Sequence, residues 1–236
     1  MTDSINLDPA ETEKFNQHAT QWWDPQGPLR TLHGINPVRL EFMRQHSSLE
    51  NLRIVDIGCG GGVLSEAMAK LGADIVGIDL AEQAIETARL HGLESRITVD
   101  YRLISSAEFA EQEPASFDVV TCMELLEHVP DPVAVVTDCS NLVKPGGWLF
   151  FATLNRTLTA FVQAIVAAEH LLQLLPRGTH DYAKLIRPSE LAQWCRSAGL
   201  EVVRIRGLGY NPITHEASLR QNCSVNYLLA AQKPLD

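Results

Sequence analysis

The stretch VDIGCGGG, residues 55–62, decides the fold, because it joins an apolar strand to a helix through a run of glycines. RIVDIG, residues 53–58, is typical of a buried strand, and VLSEAMAKLG, residues 63–72, of a helix that Gly72 closes. Glycines at such a junction let the backbone approach a ligand and present N–H donors near a helix N-terminus. A turn needed only for tight packing is the alternative, but a first strand–helix junction favours a nucleotide site.

Apolar strands and amphipathic helices alternate after this junction. Near-continuous apolar strands separated by helices indicate a parallel sheet covered on both faces. We therefore predict a doubly wound α/β fold whose sheet has seven strands, mostly parallel, with the last strand antiparallel. The predicted strands are RIVDIG, DIVGIDL, RITVDYR, FDVVTCM, GWLFFATL and a closing pair without an intervening helix, LEVVRIRGL and SVNYLLAAQ.

The organisation indicates a single domain over residues 1–236, since that length suffices for one well-buried α/β unit with additions. No internal repeat or low-complexity linker divides it. Its predicted parts are an N-terminal helical cap (8–46), a cofactor-binding core (50–153), a helical insert (156–188) and closing strands (200–231).

Composition narrows the function classes. A formal net charge of -10 and a pI near 5.2 argue against a nucleic-acid partner, which usually meets a basic face. The five scattered cysteines contain no CxxC pair, so neither a disulfide framework nor a zinc cluster is expected. The N-terminus is acidic and polar, unlike a signal peptide, and no apolar run is long enough to span a membrane. These features predict a cytoplasmic protein.

The ligand of the glycine loop can be narrowed by charge and size. A dinucleotide fingerprint needs a small residue where Val63 stands, which disfavours an NAD-linked reductase. Asp79 ends the second predicted strand, about twenty residues after the glycine loop begins. That separation is expected of a carboxylate that accepts hydrogen bonds from a ribose. Asp56 would repel a pyrophosphate but not a cationic or zwitterionic ligand. A nucleoside carrying a positive charge and an amino-acid end therefore fits better than NAD.

Four motifs carry a family resemblance over about residues 50–150. VDIGCGGG, GID, FDVVTCME and LVKPGG together resemble the class I S-adenosylmethionine-dependent methyltransferases. The resemblance implies a Rossmann-like fold, a glycine loop that meets the methionine part of S-adenosylmethionine (SAM), and an acidic residue that holds the ribose. It also implies a seventh, antiparallel strand, which agrees with the helix-free closing pair.

A narrower resemblance covers nearly the whole chain. WWDPQGPLRTLHGINPVRLEF, MELLEHVPDP, ATLNRT, LPRGTHDYAKLIRPSEL and GLGYNPITH closely resemble segments of the bacterial ubiquinone-biosynthesis O-methyltransferases. That family implies methylation of ring hydroxyls on polyprenylated phenol or quinol intermediates, at two steps, and contact with other ubiquinone-synthesising enzymes. Carried over by position, the residues expected to bind SAM are Arg39, Gly58, Asp79 and Met123, with Gly60 of the same loop.

Two of these transfers have a clear physical reason. The planar fork of Arg39 suits a carboxylate such as that of the methionyl group. Met123, at the entrance to the loop after the fourth strand, is suited to pack on the adenine or the sulfonium, unless it only fills core.

The segment MELLEH, residues 123–128, poses a separate question. Helical spacing would place Glu124, Glu127 and His128 on one face, at the carboxyl edge of the sheet. A phenol with a pKa of about 10 needs activation, so this trio predicts either a divalent-ion site, with magnesium favoured by the oxygens, or a histidine base. A solvated helix start is the third interpretation. All three stay open, with His128 as the candidate base.

The insert predicts a membrane contact. Apolar residues recur at helical spacing, with basic residues on either side, which is typical of an interfacial helix on anionic lipid. We expect residues 158–187 to bind the inner face of the membrane peripherally; a lid or a dimer face is the alternative. The apolar stripe is Phe161, Ile165, Ala168, Leu172 and Leu175, and the flanking cations are Arg156, Arg177, Lys184 and Arg187.

Two competing functions are also compatible with the sequence. One is O-methylation of a soluble phenolic acceptor, with the insert serving only as a lid. The other is a non-catalytic methyltransferase-fold scaffold within a biosynthetic complex, which the intact glycine loop and Asp79 disfavour.

Overall fold

The computed structural model describes residues 6–160, 182–211 and 214–235. A single mixed sheet runs through the described part of the chain. Its strands are β1 (Arg53–Ile57), β2 (Asp74–Asp79), β3 (Asp100–Leu103), β4 (Phe117–Met123), β5 (Val143–Leu154), β6 (Glu201–Tyr210), β7 (Ala217–Arg220) and β8 (Asn226–Gln232).

The strand order is β3-β2-β1-β4-β5-β8-β6-β7, which confirms the predicted α/β sheet. Strands β1 to β5 pair parallel with one another, whereas β8 runs antiparallel to both β5 and β6. The chain crosses from one side of β1 to the other between β3 and β4. Such a reversal opens a crevice at the carboxyl ends of the central strands, where ligands bind in sheets of this kind.

The predicted strand count was wrong, because the described part of the chain forms a sheet of eight strands rather than seven. The additional strand is β7, which pairs antiparallel with β6 at the sheet edge. It is only four residues long, and its side chains alternate between half-buried and exposed. A short edge strand without an apolar run gives no clear sequence signal. Strand β8 lies inside the sheet, between β5 and β6.

Helices cover both faces of the sheet. One apolar core packs α2 and α3 against the sheet, and the other packs α5, α6 and α7 against its opposite face. The sequence did not predict helix α5, which spans Ser106–Gln112. Ser105 caps this helix, because its hydroxyl accepts a hydrogen bond from the backbone N–H of Glu108. The helices are α1 (Pro9–Gln17), α2 (Arg30–Arg44), α3 (Val63–Ala69), α4 (Glu82–Ser95), α5 (Ser106–Gln112), α6 (Pro132–Leu142) and α7 (Pro188–Ser197).

The chain does not enter an α-helix directly after β4. Glu124 adopts a left-handed backbone conformation with φ of 55°, and only one turn of 3-10 helix follows, at Leu126–His128. Helix α6 begins later, at Pro132, where Asp131 caps its first turn. The expectation that Glu124, Glu127 and His128 share one α-helical face was therefore wrong, since the left-handed residue interrupts the α-helical geometry that such spacing assumes.

The predicted amphipathic stripe, Phe161 to Leu175, and Arg177 lie outside the described residues. The structure resumes with a 3-10 turn at Tyr182–Lys184 and then α7. Within the ranges that the structure describes, we find no helix with the length and apolarity needed to cross a bilayer.

Candidate active site

A cavity of about 1130 Å³ opens at the carboxyl ends of β1, β2 and β4. Sites for one drug-sized ligand typically measure roughly 300–1,000 Å³, so this cavity can hold two reactants together. Its walls come from the N-terminal segment, the glycine loop, the turn after β4 and the start of α5. All of the residues predicted to bind cofactor or metal line it: Arg39, Gly58, Gly60, Asp79, Met123, Glu124, Glu127 and His128.

The glycine loop takes backbone conformations that side chains disfavour. Gly58 has φ of +72° and Gly60 has φ of +52°, both in the left-handed region. A Cβ at position 60 would collide with the ring of Trp22, which lies directly over the loop. A Cβ at position 58 would lie 3.0 Å from the side chain of Leu125. Helix α3 begins at Val63, so the loop presents its backbone to the cavity beside a helix N-terminus.

Asp79 closes β2 and ties the glycine loop to the next turn. Its Oδ2 accepts from the backbone N–H of Gly60 at 2.8 Å, and its Oδ1 accepts from that of Ala81 at 2.8 Å. Burial raises the pKa of this carboxyl, and the two backbone hydrogen bonds oppose that shift. Each oxygen keeps a second acceptor position, so the pair can also take two neighbouring hydroxyls, as a ribose diol offers.

Asp56 lies on β1 behind the glycine loop and is 2% exposed. Two hydroxyls donate to its carboxylate, Ser65 Oγ at 2.7 Å and Thr121 Oγ1 at 2.7 Å. Burial raises its pKa, and these hydroxyls and the nearby guanidinium of Arg39 oppose the shift. Asp56 was predictable from the sequence, but its two hydroxyl partners were not, because no spacing pattern links them to it.

Arg39 on α2 is 5% exposed and reaches the loop after β4. Its Nη2 donates to Glu124 Oε1 at 3.0 Å, while its Nε is buried and has no hydrogen-bond partner among the described residues. An unpaired buried donor is costly, so an acceptor in the cavity would be strongly favoured there. This arrangement fits a ligand carboxylate, although part of the guanidinium is already committed to Glu124.

Met123 is the last residue of β4 and is 7% exposed. It packs with Ile35 and Leu64 in the core beneath α2 and α3 and forms part of the cavity wall. A polarizable thioether at this place suits contact with an aromatic base or a sulfonium.

Glu127 is 5% exposed and accepts a hydrogen bond from Thr153 Oγ1 at 2.7 Å. Burial, followed by the nearby charge of Glu124, raises the pKa of Glu127 to about 7. Binding of a cation to this carboxyl would require its ionised form.

His128 is held by the N-terminal helix. Its Nδ1 lies 2.9 Å from Glu11 Oε2, and its ring meets Phe15 edge to face at a centroid distance of 5.3 Å. Burial acts to lower the pKa of His128, but the hydrogen bond to Glu11 and the neighbouring carboxylates leave it raised. The same bond lowers the pKa of Glu11 to about 2.

These partners bear on the predicted metal site. Glu124 is held by Arg39, Glu127 by Thr153 and His128 by Glu11, so the three side chains point to separate partners. No group of three or more His, Cys, Asp and Glu side chains able to hold a metal ion is found among the described residues. The donor set expected from the sequence is not assembled among the described residues, because each member is held by a different partner.

The N-terminal segment supplies residues that the sequence reading did not assign to the site. Trp22 covers the glycine loop, and Trp23 Nε1 donates to the carbonyl of Gly61 at 2.9 Å. Glu11 and Phe15 reach the turn after β4. Paired tryptophans in an otherwise polar stretch were the one available signal, since large aromatic side chains are usually buried against something.

The methyltransferase domain family model matches residues 35–205. The ubiquinone biosynthesis O-methyltransferase of Methylococcus capsulatus is 54% identical over 233 residues, which cover 99% of this chain and 98% of that protein. The protein of the same name from Ralstonia nicotianae is 53% identical, with 99% and 98% covered.

Solved structures share the fold at low sequence identity. Magnesium protoporphyrin IX methyltransferase from Synechocystis PCC 6803, with bound SAH, superposes with a TM-score of 0.68 at 17% identity, covering 94% of this chain and 97% of that one. A SAM-dependent methyltransferase from Thermotoga maritima gives 0.67 at 16% identity, covering 94% and 99%. With the sequence matches, these findings establish that the chain belongs to the ubiquinone biosynthesis O-methyltransferases, within the methyltransferase-domain family.

Proposed function

We propose that this enzyme transfers the methyl group of SAM to a ring hydroxyl of polyprenylated quinol intermediates of ubiquinone biosynthesis, demethylubiquinol among them. The observation that carries the proposal is the shared cavity. One wall is the glycine loop with Asp79, and another is the turn that ends at His128. A methyl donor on the first wall would face an acceptor hydroxyl near the second, which is the positioning that a displacement reaction needs.

The hydrogen-bond donors and acceptors around the glycine loop indicate how each residue there would bind SAM. Asp79 would accept from the ribose hydroxyls, and the backbone at Gly58 and Gly60 would lie against the methionyl part. Arg39 would take the carboxylate through its unpaired Nε, and Met123 would pack beside the sulfonium or the base. When bound, SAM supplies an electrophilic methyl group on a positively charged sulfur.

At the acceptor end of the cavity, a base must remove the proton of the acceptor's ring hydroxyl. We assign that role to the imidazole of His128, since Glu11 occupies its Nδ1 and leaves Nε2 as the ring atom able to accept. With the proton taken by Nε2, the ring oxygen would be free to accept the methyl group that bound SAM supplies, the methyl–sulfur bond breaking as the oxygen–carbon bond forms. The imidazole would then carry the positive charge that the sulfonium loses. No step is assigned to a divalent metal, because the donors predicted for it are engaged elsewhere.

The proposal also includes a second substrate, which is methylated at an earlier step of the same pathway. A polyprenyl catechol-type intermediate presents the same hydroxyl chemistry as demethylubiquinol, so the same base and the same methyl donor would serve both. Purified enzyme, methyl-labelled SAM and short-prenyl forms of each acceptor are incubated separately, with the fully methylated quinol as the control. We expect label in both products and none in the control. Label in neither would overturn the function, and label in the demethylquinol alone would overturn the second step.

Membrane contact through residues 158–187 is also proposed, with a peripheral, cytoplasmic location and association with other ubiquinone-synthesising enzymes. The support is the lipid tail that the proposed acceptor carries, together with Leu158, which is 74% exposed. Two of the flanking cations have intramolecular partners, since Arg156 pairs with Glu190 and Lys184 with Asp8. Lipid contact would therefore depend on the apolar residues more than on these charges.

Flotation with anionic liposomes tests the membrane proposal. We expect the full chain to float and a variant lacking residues 160–181 to stay in the dense fraction, because the apolar stripe is removed. A double variant of the paired cations, Arg156→Gln with Lys184→Gln, is the matched control and should still float. Equal flotation of the full chain and the deletion variant would contradict the proposed membrane contact.

A further inference from the structure

Helix α1 covers the turn that carries His128. The two elements are more than a hundred residues apart in the chain, yet Glu11 and Phe15 from one face of α1 both contact the histidine ring. Glu11 is 8% exposed, although glutamate on a short surface helix is ordinarily solvated. Such burial of a carboxylate needs compensating partners, and Lys14 Nζ at 2.8 Å and the imidazole provide them.

The bond between Glu11 and His128 fixes the tautomer of the ring. A carboxylate only accepts hydrogen bonds, so the histidine Nδ1 must carry the proton in this pair. In the neutral imidazole, the lone pair is then left on Nε2. The edge-to-face contact with Phe15 further restricts rotation of the ring.

Further contacts hold α1 in this place. Before the helix, the amide of Asn6 both donates to the carbonyl of Asp131 at 2.7 Å and accepts from its backbone N–H at 2.9 Å. Near its end, Asn16 Oδ1 accepts from the backbone N–H of Gln83 at 3.2 Å. The helix is therefore attached at both ends, and Glu11 reaches His128 from a fixed support.

We propose that Glu11 is a positioning residue for methyl transfer: it orients His128 and selects the tautomer whose Nε2 removes the proton of the acceptor hydroxyl. The inference rests on the proposed function. Glu11 takes no proton itself; its charge stabilises the imidazolium that forms when the hydroxyl proton reaches Nε2. The N-terminal helix is thus a working part of the acceptor site as well as its cover.

The test compares Glu11→Ala and Glu11→Gln with Glu13→Ala, which removes an exposed glutamate from the same helix. We expect E11A to lower kcat about a hundredfold, since a misplaced catalytic group costs on that order. The KM for the quinol and the affinity for SAM should change little. E11Q keeps an acceptor oxygen for Nδ1 but not the negative charge, so it should recover only part of the loss, while E13A should match the wild type.

A double-mutant cycle with His128→Ala separates positioning from structural support. If Glu11 acts through His128, adding E11A to H128A should lower kcat no further. Full additivity, or an E11A loss confined to KM or thermal stability, would overturn the inference while leaving the function intact. An inactive wild-type protein would instead overturn the proposed function and the inference together.

Discussion

Replacing Asp79 with alanine is expected to weaken SAM binding at least about a hundredfold. Two hydrogen bonds from ribose hydroxyls to a carboxylate are lost, at roughly 1.5–3 kcal/mol each. The backbone N–H groups of Gly60 and Ala81 also lose their acceptor, so the glycine loop loses its attachment to the end of β2. Isothermal calorimetry with SAM measures the effect directly.

The matched control for that experiment is Asp74→Ala. Asp74 begins the same strand that Asp79 ends, but it is exposed and lies outside the cavity. D74A should bind SAM with wild-type affinity. A D79A protein that is folded and binds SAM within about threefold of wild type would show that the carboxylate does not hold the ribose.

Replacing His128 with alanine is expected to lower kcat by about 10²- to 10⁴-fold, the usual contribution of a general base. The acceptor hydroxyl would then have to lose its proton to water, although the cofactor and its loop stay in place. SAM affinity should therefore be retained, which distinguishes this variant from D79A. Label transfer at saturating SAM and quinol gives kcat.

The control for this variant is His215→Gln, a histidine that is exposed and does not line the cavity. H215Q should be as active as wild type. If H128A kept more than about a third of the wild-type kcat, the assignment of the imidazole as the base would be untenable, and another cavity group such as Glu127 would have to be considered.

The architecture was largely predictable because the apolar runs of β1, β2, β4 and β5 are mostly buried and stand out from their surroundings. The glycine loop and Asp79 were predictable for a related reason, since they lie at fixed places relative to β1 and β2. Strand β7 escaped notice because four residues at a sheet edge bury too little apolar surface to leave a pattern.

The geometry after β4 was not predictable from spacing. Glu124, Glu127 and His128 read as an α-helical face only if the backbone between them is helical, and the left-handed φ of Glu124 breaks that condition. The hydrogen-bond partner of His128 was also not predictable from the sequence. Glu11 reaches it only through the packing of α1 over the cavity, and nothing in the residues around either position indicates the pairing.

The most direct test of the account is a single turnover. Enzyme loaded with one equivalent of methyl-labelled SAM is mixed with excess short-prenyl demethylubiquinol in the presence of a chelator, and the quenched product is analysed for the position of the label. The account predicts that the label moves to the ring oxygen as a methyl ether, at nearly one per enzyme. Label that stays on SAM, or appears on a ring carbon, would contradict it.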